Sequence, residues 1–209
     1  YWLHAGAVRV NKEKMSKSLG NFFTIREVLA KFPAEIVRYL LTASHYRSQI
    51  DYAEDALVEA QRALDRLYTA MDQLELKDVS LEGPYLDRFN GAMDDDFNTR
   101  EAVSVLFEMA REVNRLKRDA DPQAIVLASQ MRGLGNILGL LELDPQAYLR
   151  GEAGEGDLVD ADVDALVVQR QQAKLDRNFS LSDQIRAQLK VAGISLEDSK
   201  EGTVWKREV

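Results

Sequence analysis

Within five residues the chain carries Lys14, Ser16, Lys17 and Ser18, and Gly20 closes the segment. Two mobile ammonium charges and two hydroxyl donors can surround phosphate oxygens. A lysine that reaches a leaving pyrophosphate stabilises charge that grows in the transition state. A loop suits that work because it can close on a nucleotide and open for product. The same composition also fits a solvated basic loop in front of a helix. Near the other end, Lys174, Phe179, Asp183, Arg186, Asp198 and Trp205 fall within a short span. Aromatic rings stack on unpaired bases, carboxylates accept from base amino groups, and cations meet phosphates. Equally, a module this small needs an aromatic core, which Phe179 and Trp205 could fill while Asp198 caps a turn. Between these sets lie His45, Tyr46 and Arg47. They could meet phosphate and stack on a base, or complement the C-terminal end of a helix. The run Asp94-Asp95-Asp96 has metal-like composition, but its spacing matches no calcium loop. It reads instead as a loop before a helix capped near Asn98 or Thr99.

The elements that must position these residues are mostly helical. Leu3 to Val10 reads as a strand pair or a strand and turn, and Asn11 to Asn21 as a loop. Thr24 and Glu27 form a capping box, so a short helix starts near Thr24. Pro33 suits the first turn of a second helix running to about His45. Asp51 and Glu54 form another capping pattern, ahead of a long helix with Leu57, Ala60, Leu64, Leu67, Met71 and Leu74 on one seam. Gly83-Pro84 ends that pattern, and a shorter helix over Tyr85 to Met93 follows. Val103 to Leu116 and Ile125 to Leu138 supply two more amphipathic stretches. Gly133, Gly135 and Gly139 weaken the second of these or permit close packing. Gly151 to Asp162 is rich in glycine and acid and reads as a linker. Beyond it, Val163, Leu166, Val167, Arg170 and Ala173 mark a helix, and Ser180 to Asp183 caps another. Two short strands, Ile194 to Leu196 and Thr203 to Trp205, flank a turn at Gly202.

The expected fold is therefore mainly α: a short mixed segment over 1–50, a helical bundle over 51–150, a linker over 151–162 and a small α+β module over 163–209. The chain has 209 residues, 45% of them hydrophobic, enough for packed cores. It has no cysteine, which excludes disulfides and thiolate metal sites. No run of eighteen apolar residues is present, so no membrane span is expected. Net charge is −8, but it is unevenly placed: +5 over residues 1–50, −15 over 51–167 and +3 over 168–207. Phosphate binding needs local positive charge, not a positive total.

The literal strings add a resemblance. Lys14-Met15-Ser16-Lys17-Ser18 is the second signature of class I aminoacyl-tRNA synthetases, and here it extends from Glu13 to Phe22. Its flanks resemble the cysteinyl-tRNA synthetases in particular. Tyr1-Trp2-Leu3-His4 and Gly6 precede it, and Phe22-Phe23-Thr24-Ile25-Arg26 follows. Val37-Arg38-Tyr39, His45 to Gln49, Met93 to Thr99 and Ala110 to Asn114 come next in family order. Ser182 to Arg186, Gly193-Ile194, Leu196 to Asp198 and Gly202 to Trp205 complete it. Ala5 and Arg100 depart from the usual residues without touching the assignment.

The resemblance implies the C-terminal part of an enzyme that joins cysteine to its tRNA at the expense of ATP. Lys17 would be catalytic, and Lys14, Ser16 and Ser18 would bind ATP with it. Residues 1–50 would include a stem-contact region. Arg47, Lys174, Phe179, Asp183, Arg186, Asp198 and Trp205 would contact tRNA, the last six in an anticodon-binding module. ATP with magnesium would be the substrate complex. Zinc would belong to the preceding catalytic half, with no metal held in this stretch. The chain by itself is expected to be inactive, and the intact enzyme monomeric and cytoplasmic. Two other readings carry the same loop: a ligase joining cysteine to an amino sugar, and a stand-alone tRNA-binding or regulatory protein derived from the synthetase tail.

Overall fold

The computed structural model describes residues 2–10, 13–15, 24–151, 158–198 and 202–207. The chain forms two compact units, Tyr1–Pro145 and Gln146–Val209. Residues 1–50 thus fall in the same unit as the helices that follow. Among the described residues, no helix is long and apolar enough to cross a membrane.

The first unit opens on a small sheet. Strand β1 (Val8–Val10) pairs antiparallel with β2 (Glu13–Lys14) and parallel with β3 (Ile50–Tyr52). The last strand was not legible in the sequence. It also overturns a cap: Asp51 pairs with Arg9 in the ladder, and the following helix has Ala53 at its N-cap with no side-chain bond. Sheet pairing has taken the residue that the capping pattern needed. Helix α1 (Ile25–Leu29) does carry the expected box, with Thr24 Oγ1 accepting from Glu27 N–H and Glu27 Oε2 accepting from Thr24 N–H. Helix α2 (Ala34–Thr42) starts after Pro33 and stops short of His45.

Four helices build the main core: α3 (Glu54–Met71), α4 (Pro84–Asp94), α5 (Thr99–Arg118) and α6 (Gln123–Ile137). Leu57, Leu64, Leu67 and Met71 of α3 are fully buried, as are Leu106 and Met109 of α5 and Met131 of α6. Helix α5 packs on α3, α4 and α6. Asn98 caps it by accepting from Glu101 N–H at 3.2 Å. Gly133 and Gly135 serve close approach: a Cβ there would meet Leu81 at 2.7 Å and Leu141 at 2.8 Å.

One buried polar contact spans the unit. Glu35 of α2 accepts from Tyr68 Oη at 2.8 Å and from the Leu141 N–H at 2.6 Å. Burial pushes the Glu35 carboxyl above its ordinary value, opposed by these two bonds, and burial beside Glu35 pushes the Tyr68 phenol up as well.

Gly6 sets how β1 meets the loop after α2. Its N–H donates to the Tyr46 carbonyl at 2.8 Å, and a Cβ there would lie 1.9 Å from the Ser48 carbonyl oxygen. Backbone cannot give way as a flexible side chain can. Gly6→Ala is therefore expected to destabilise the first unit by roughly 3 kcal/mol. Urea unfolding followed by circular dichroism measures it; an unchanged midpoint would show that the loop shifts freely.

The second unit contains α8 (Asp160–Leu175), α9 (Phe179–Val191) and an antiparallel hairpin of β4 (Ile194–Asp198) and β5 (Thr203–Arg207). A short helix not anticipated from the sequence, α7 (Pro145–Arg150), runs across the boundary between the units. Helix α8 begins inside the stretch read as linker, and the cap of α9 is Asn178, accepting from Leu181 N–H, not Ser180. The core of this unit is Val163, Val167, Ile185, Leu189, Ile194 and Trp205.

Candidate functional site

In sequence, the lysine and serine segment falls between β2 and α1. On one side β2 holds the Lys14 backbone opposite Arg9 in the ladder. On the other, the Thr24 capping box fixes the start of α1. Ser16, Lys17 and Ser18 lie outside the described residues, as does the side chain of Lys14.

Arg47 sits on a loop, not at a helix end, since α2 stops at Thr42. Its guanidinium pairs with Asp96 at 2.7 Å and donates to Tyr46 Oη at 2.8 Å. Tyr46 in turn donates to Asp96 at 2.7 Å, and the His45 ring stacks on the Tyr46 ring at 4.9 Å. The hydrogen bonds from Tyr46 and Arg47 hold the Asp96 carboxyl below its ordinary value. Asp96 and Phe97 both adopt left-handed backbone, with φ of 54° and 53°, a conformation costly for residues with a Cβ. The acidic run thus turns the chain from α4 into α5 and anchors Arg47. Among the described residues, no group of three or more His, Cys, Asp or Glu is placed to hold a metal ion.

In the second unit Asp198 is the centre of a tight network. Arg170 donates to both of its oxygens at 2.9 Å, Lys174 to Oδ2 at 2.9 Å and Thr203 to Oδ1 at 2.6 Å. These hydrogen bonds, that of Arg170 foremost, hold the carboxyl well below the usual carboxylate range. Asp198 and Lys174 are nonetheless partly open to solvent, whereas the Arg170 side chain is only 3% exposed. Asp183 lies near enough to the Arg170 guanidinium to favour its charge. Asp183 and Arg186 are exposed on α9, and Phe179 at its start is 62% exposed.

Trp205 does not join this exposed set. Its ring is buried in the core, its Nε1 donates to Asp164 at 2.7 Å, and the guanidinium groups of Arg150 and Arg207 sit over it at 5.1 Å each. The stacking role allowed by the sequence is corrected here: the small unit uses its largest side chain to exclude water, and no ring face is offered to a base. Sequence reasoning also passed over Arg170 as a functional residue, though a signal was present. An arginine at a core-facing position of α8, in step with Val163 and Val167, demands an acceptor within reach. Asp198 is that acceptor, and it is distant in sequence.

Comparison with known proteins agrees with these elements. Residues 1–62 match the family described as tRNA synthetases class I (C) catalytic domain, and residues 88–142 match the DALR domain. The cysteine–tRNA ligase of Hahella chejuensis is 53% identical over 99% of this chain and 46% of its own length. That of Azotobacter vinelandii is 56% identical over 98% of this chain and 44% of its own. That of Methylococcus capsulatus is 49% identical over the whole of this chain and 46% of its own. The chain thus spans a little under half the length of these relatives, and over that span it belongs to the cysteine–tRNA ligase family.

Proposed function

We propose that this chain works as the C-terminal part of a cysteine–tRNA ligase. In that reaction the cysteine carboxylate attacks the α-phosphorus of ATP, the bond to the β,γ-diphosphate breaks, and cysteinyl-adenylate and pyrophosphate result. The tRNA 3′ end then takes the cysteine and releases AMP. Lys17 stabilises the charge that grows on the leaving pyrophosphate. Lys14, Ser16 and Ser18 contact the phosphates of magnesium–ATP and shape the loop. Zinc would belong to the preceding half of such an enzyme. The enzyme acts as a cytoplasmic monomer.

The second unit binds the anticodon. Residues 168–207 within it carry +3 after the acidic stretch of the chain, so phosphates are attracted to that part. Exposed Phe179 offers a ring for stacking, Asp183 and Asp198 accept from base amino groups, and Lys174 and Arg186 meet phosphates. Arg47 supplies a further tRNA contact from the first unit. The observation that carries this reading is the near-complete match to cysteine–tRNA ligases at about half identity. Asp198→Asn, in a full-length ligase carrying this sequence, tests it. The preference for a GCA anticodon over a singly changed one is expected to fall by about 1–3 kcal/mol. Cysteine-dependent ATP–pyrophosphate exchange stays unchanged. An intact preference would reject the anticodon role of Asp198.

A further inference from the structure

A carboxylate that reads a base must present its oxygens in one fixed direction, since hydrogen bonds weaken steeply away from alignment. Asp198 stands at the end of β4, beside the turn to β5, where an unaided side chain turns freely. Here it is not free. Its two oxygens offer about four acceptor positions. Arg170 takes one on each oxygen, Thr203 a second on Oδ1, and Lys174 a second on Oδ2. These partners differ in kind. Arg170 is buried on α8 and makes two parallel bonds that fix the carboxylate plane. Lys174 reaches the carboxylate from the partly open side with a single flexible ammonium. The position held by Lys174 is therefore the accessible one, where a base amino group can enter without disturbing the other three bonds.

The Arg170 guanidinium has a further property. Its Nε is buried without a hydrogen-bond partner, so the group is not sited to satisfy all its own donors. Its terminal nitrogens go to Asp198, while the charge of Asp183 favours the same cation. One buried cation on α8 thus holds a carboxylate on another element, β4. We propose that Arg170 is the positioning residue for base readout: it holds the Asp198 carboxylate in its reading plane. This rests on the reading of Asp198 as a base contact. Arg170 touches no base itself and acts through Asp198.

A structural tie between α8 and the hairpin makes a different prediction, so the experiment reads specificity and stability together. The protein is a full-length ligase carrying this sequence, and the probes are tRNA transcripts with a GCA anticodon or one changed anticodon base. Arg170→Lys keeps the buried charge but removes the two-pronged geometry. The ratio of kcat/KM between matched and changed tRNA is expected to fall about tenfold, the scale of one lost bidentate contact. ATP–pyrophosphate exchange stays unchanged and the thermal midpoint moves little. An unchanged ratio in Arg170→Lys, with the ratio lost in Asp198→Asn, overturns the positioning role while leaving the anticodon reading intact. An unchanged ratio in Asp198→Asn instead removes the reading on which it rests. Should Arg170→Lys fail to fold, Thr203→Val loosens the same carboxylate from the hairpin side. A smaller fall in the ratio is then expected, and none overturns the proposal.

Discussion

In a full-length ligase carrying this sequence, Lys17→Ala is expected to slow cysteinyl-adenylate formation by about 10²–10³-fold, the usual cost of removing one preorganised electrostatic donor at a developing oxyanion. Cysteine binding stays close to that of the parent enzyme. The reasoning is differential. The pyrophosphate gains negative charge only as the α-phosphorus bond breaks, so a lysine placed there binds the transition state more tightly than the ground state. Losses then fall on the rate and not on substrate affinity. Lys14→Ala costs less. Lys14 belongs to the ladder opposite Arg9, at the fixed edge of the loop, whereas Lys17 lies between that edge and the Thr24 cap. Single-turnover formation of adenylate at saturating ATP measures both variants. Equal rates for Lys17→Ala and the parent would remove the loop from the chemistry.

Trp205→Ala lowers the stability of the second unit by about 3–5 kcal/mol, the range for truncating a buried aromatic. The indole is 4% exposed and is the largest side chain in a core of Val163, Val167, Ile185, Leu189 and Ile194. Its loss opens a cavity and leaves Asp164 without the Nε1 donor. A unit of this size has little stability to spare, so α8, α9 and the hairpin are expected to melt together at lower temperature. Aminoacylation of matched and changed anticodons then falls by the same factor. Differential scanning calorimetry and the two kcat/KM values separate the possibilities. A lost preference with an unmoved melting temperature would return the ring to the role of a stacking platform.

Much of the helical framework was legible because local signals and tertiary packing agree. Thr24 with Glu27, Asn98 ahead of α5, and the leucine seam of α3 are each decided within a few residues. The misreadings occur where distant partners decide. Asp51 looked like a cap until β3 found β1 across the intervening helices. Ser180 looked like a cap, but Asn178 sits at the true start of α9, where Arg177 turns the chain with φ of 57°. Of the residues set out in the sequence, Phe179, Asp183 and Arg186 are exposed. Trp205 is not, because only the tertiary core determines whether an aromatic ring faces in or out. Arg170 stayed unremarked for a related reason: a charge on an apolar face makes sense only once its acceptor is known, and that acceptor is brought near by the hairpin.

The two stretches that match separate families, residues 1–62 and 88–142, share the Glu35 carboxylate as well as the Asp96 network. Glu35 belongs to the first, the Leu141 amide to the second, and Tyr68 to the helix between them. If α2 were cut away, the Leu141 N–H and the Tyr68 hydroxyl would each lose an acceptor in a half-buried place, at a cost of about 1–3 kcal/mol apiece. An evolutionary exchange of the helical part alone would inherit that deficit. Any graft of these helices onto another catalytic domain must therefore bring α2 with it or supply another acceptor for these two donors.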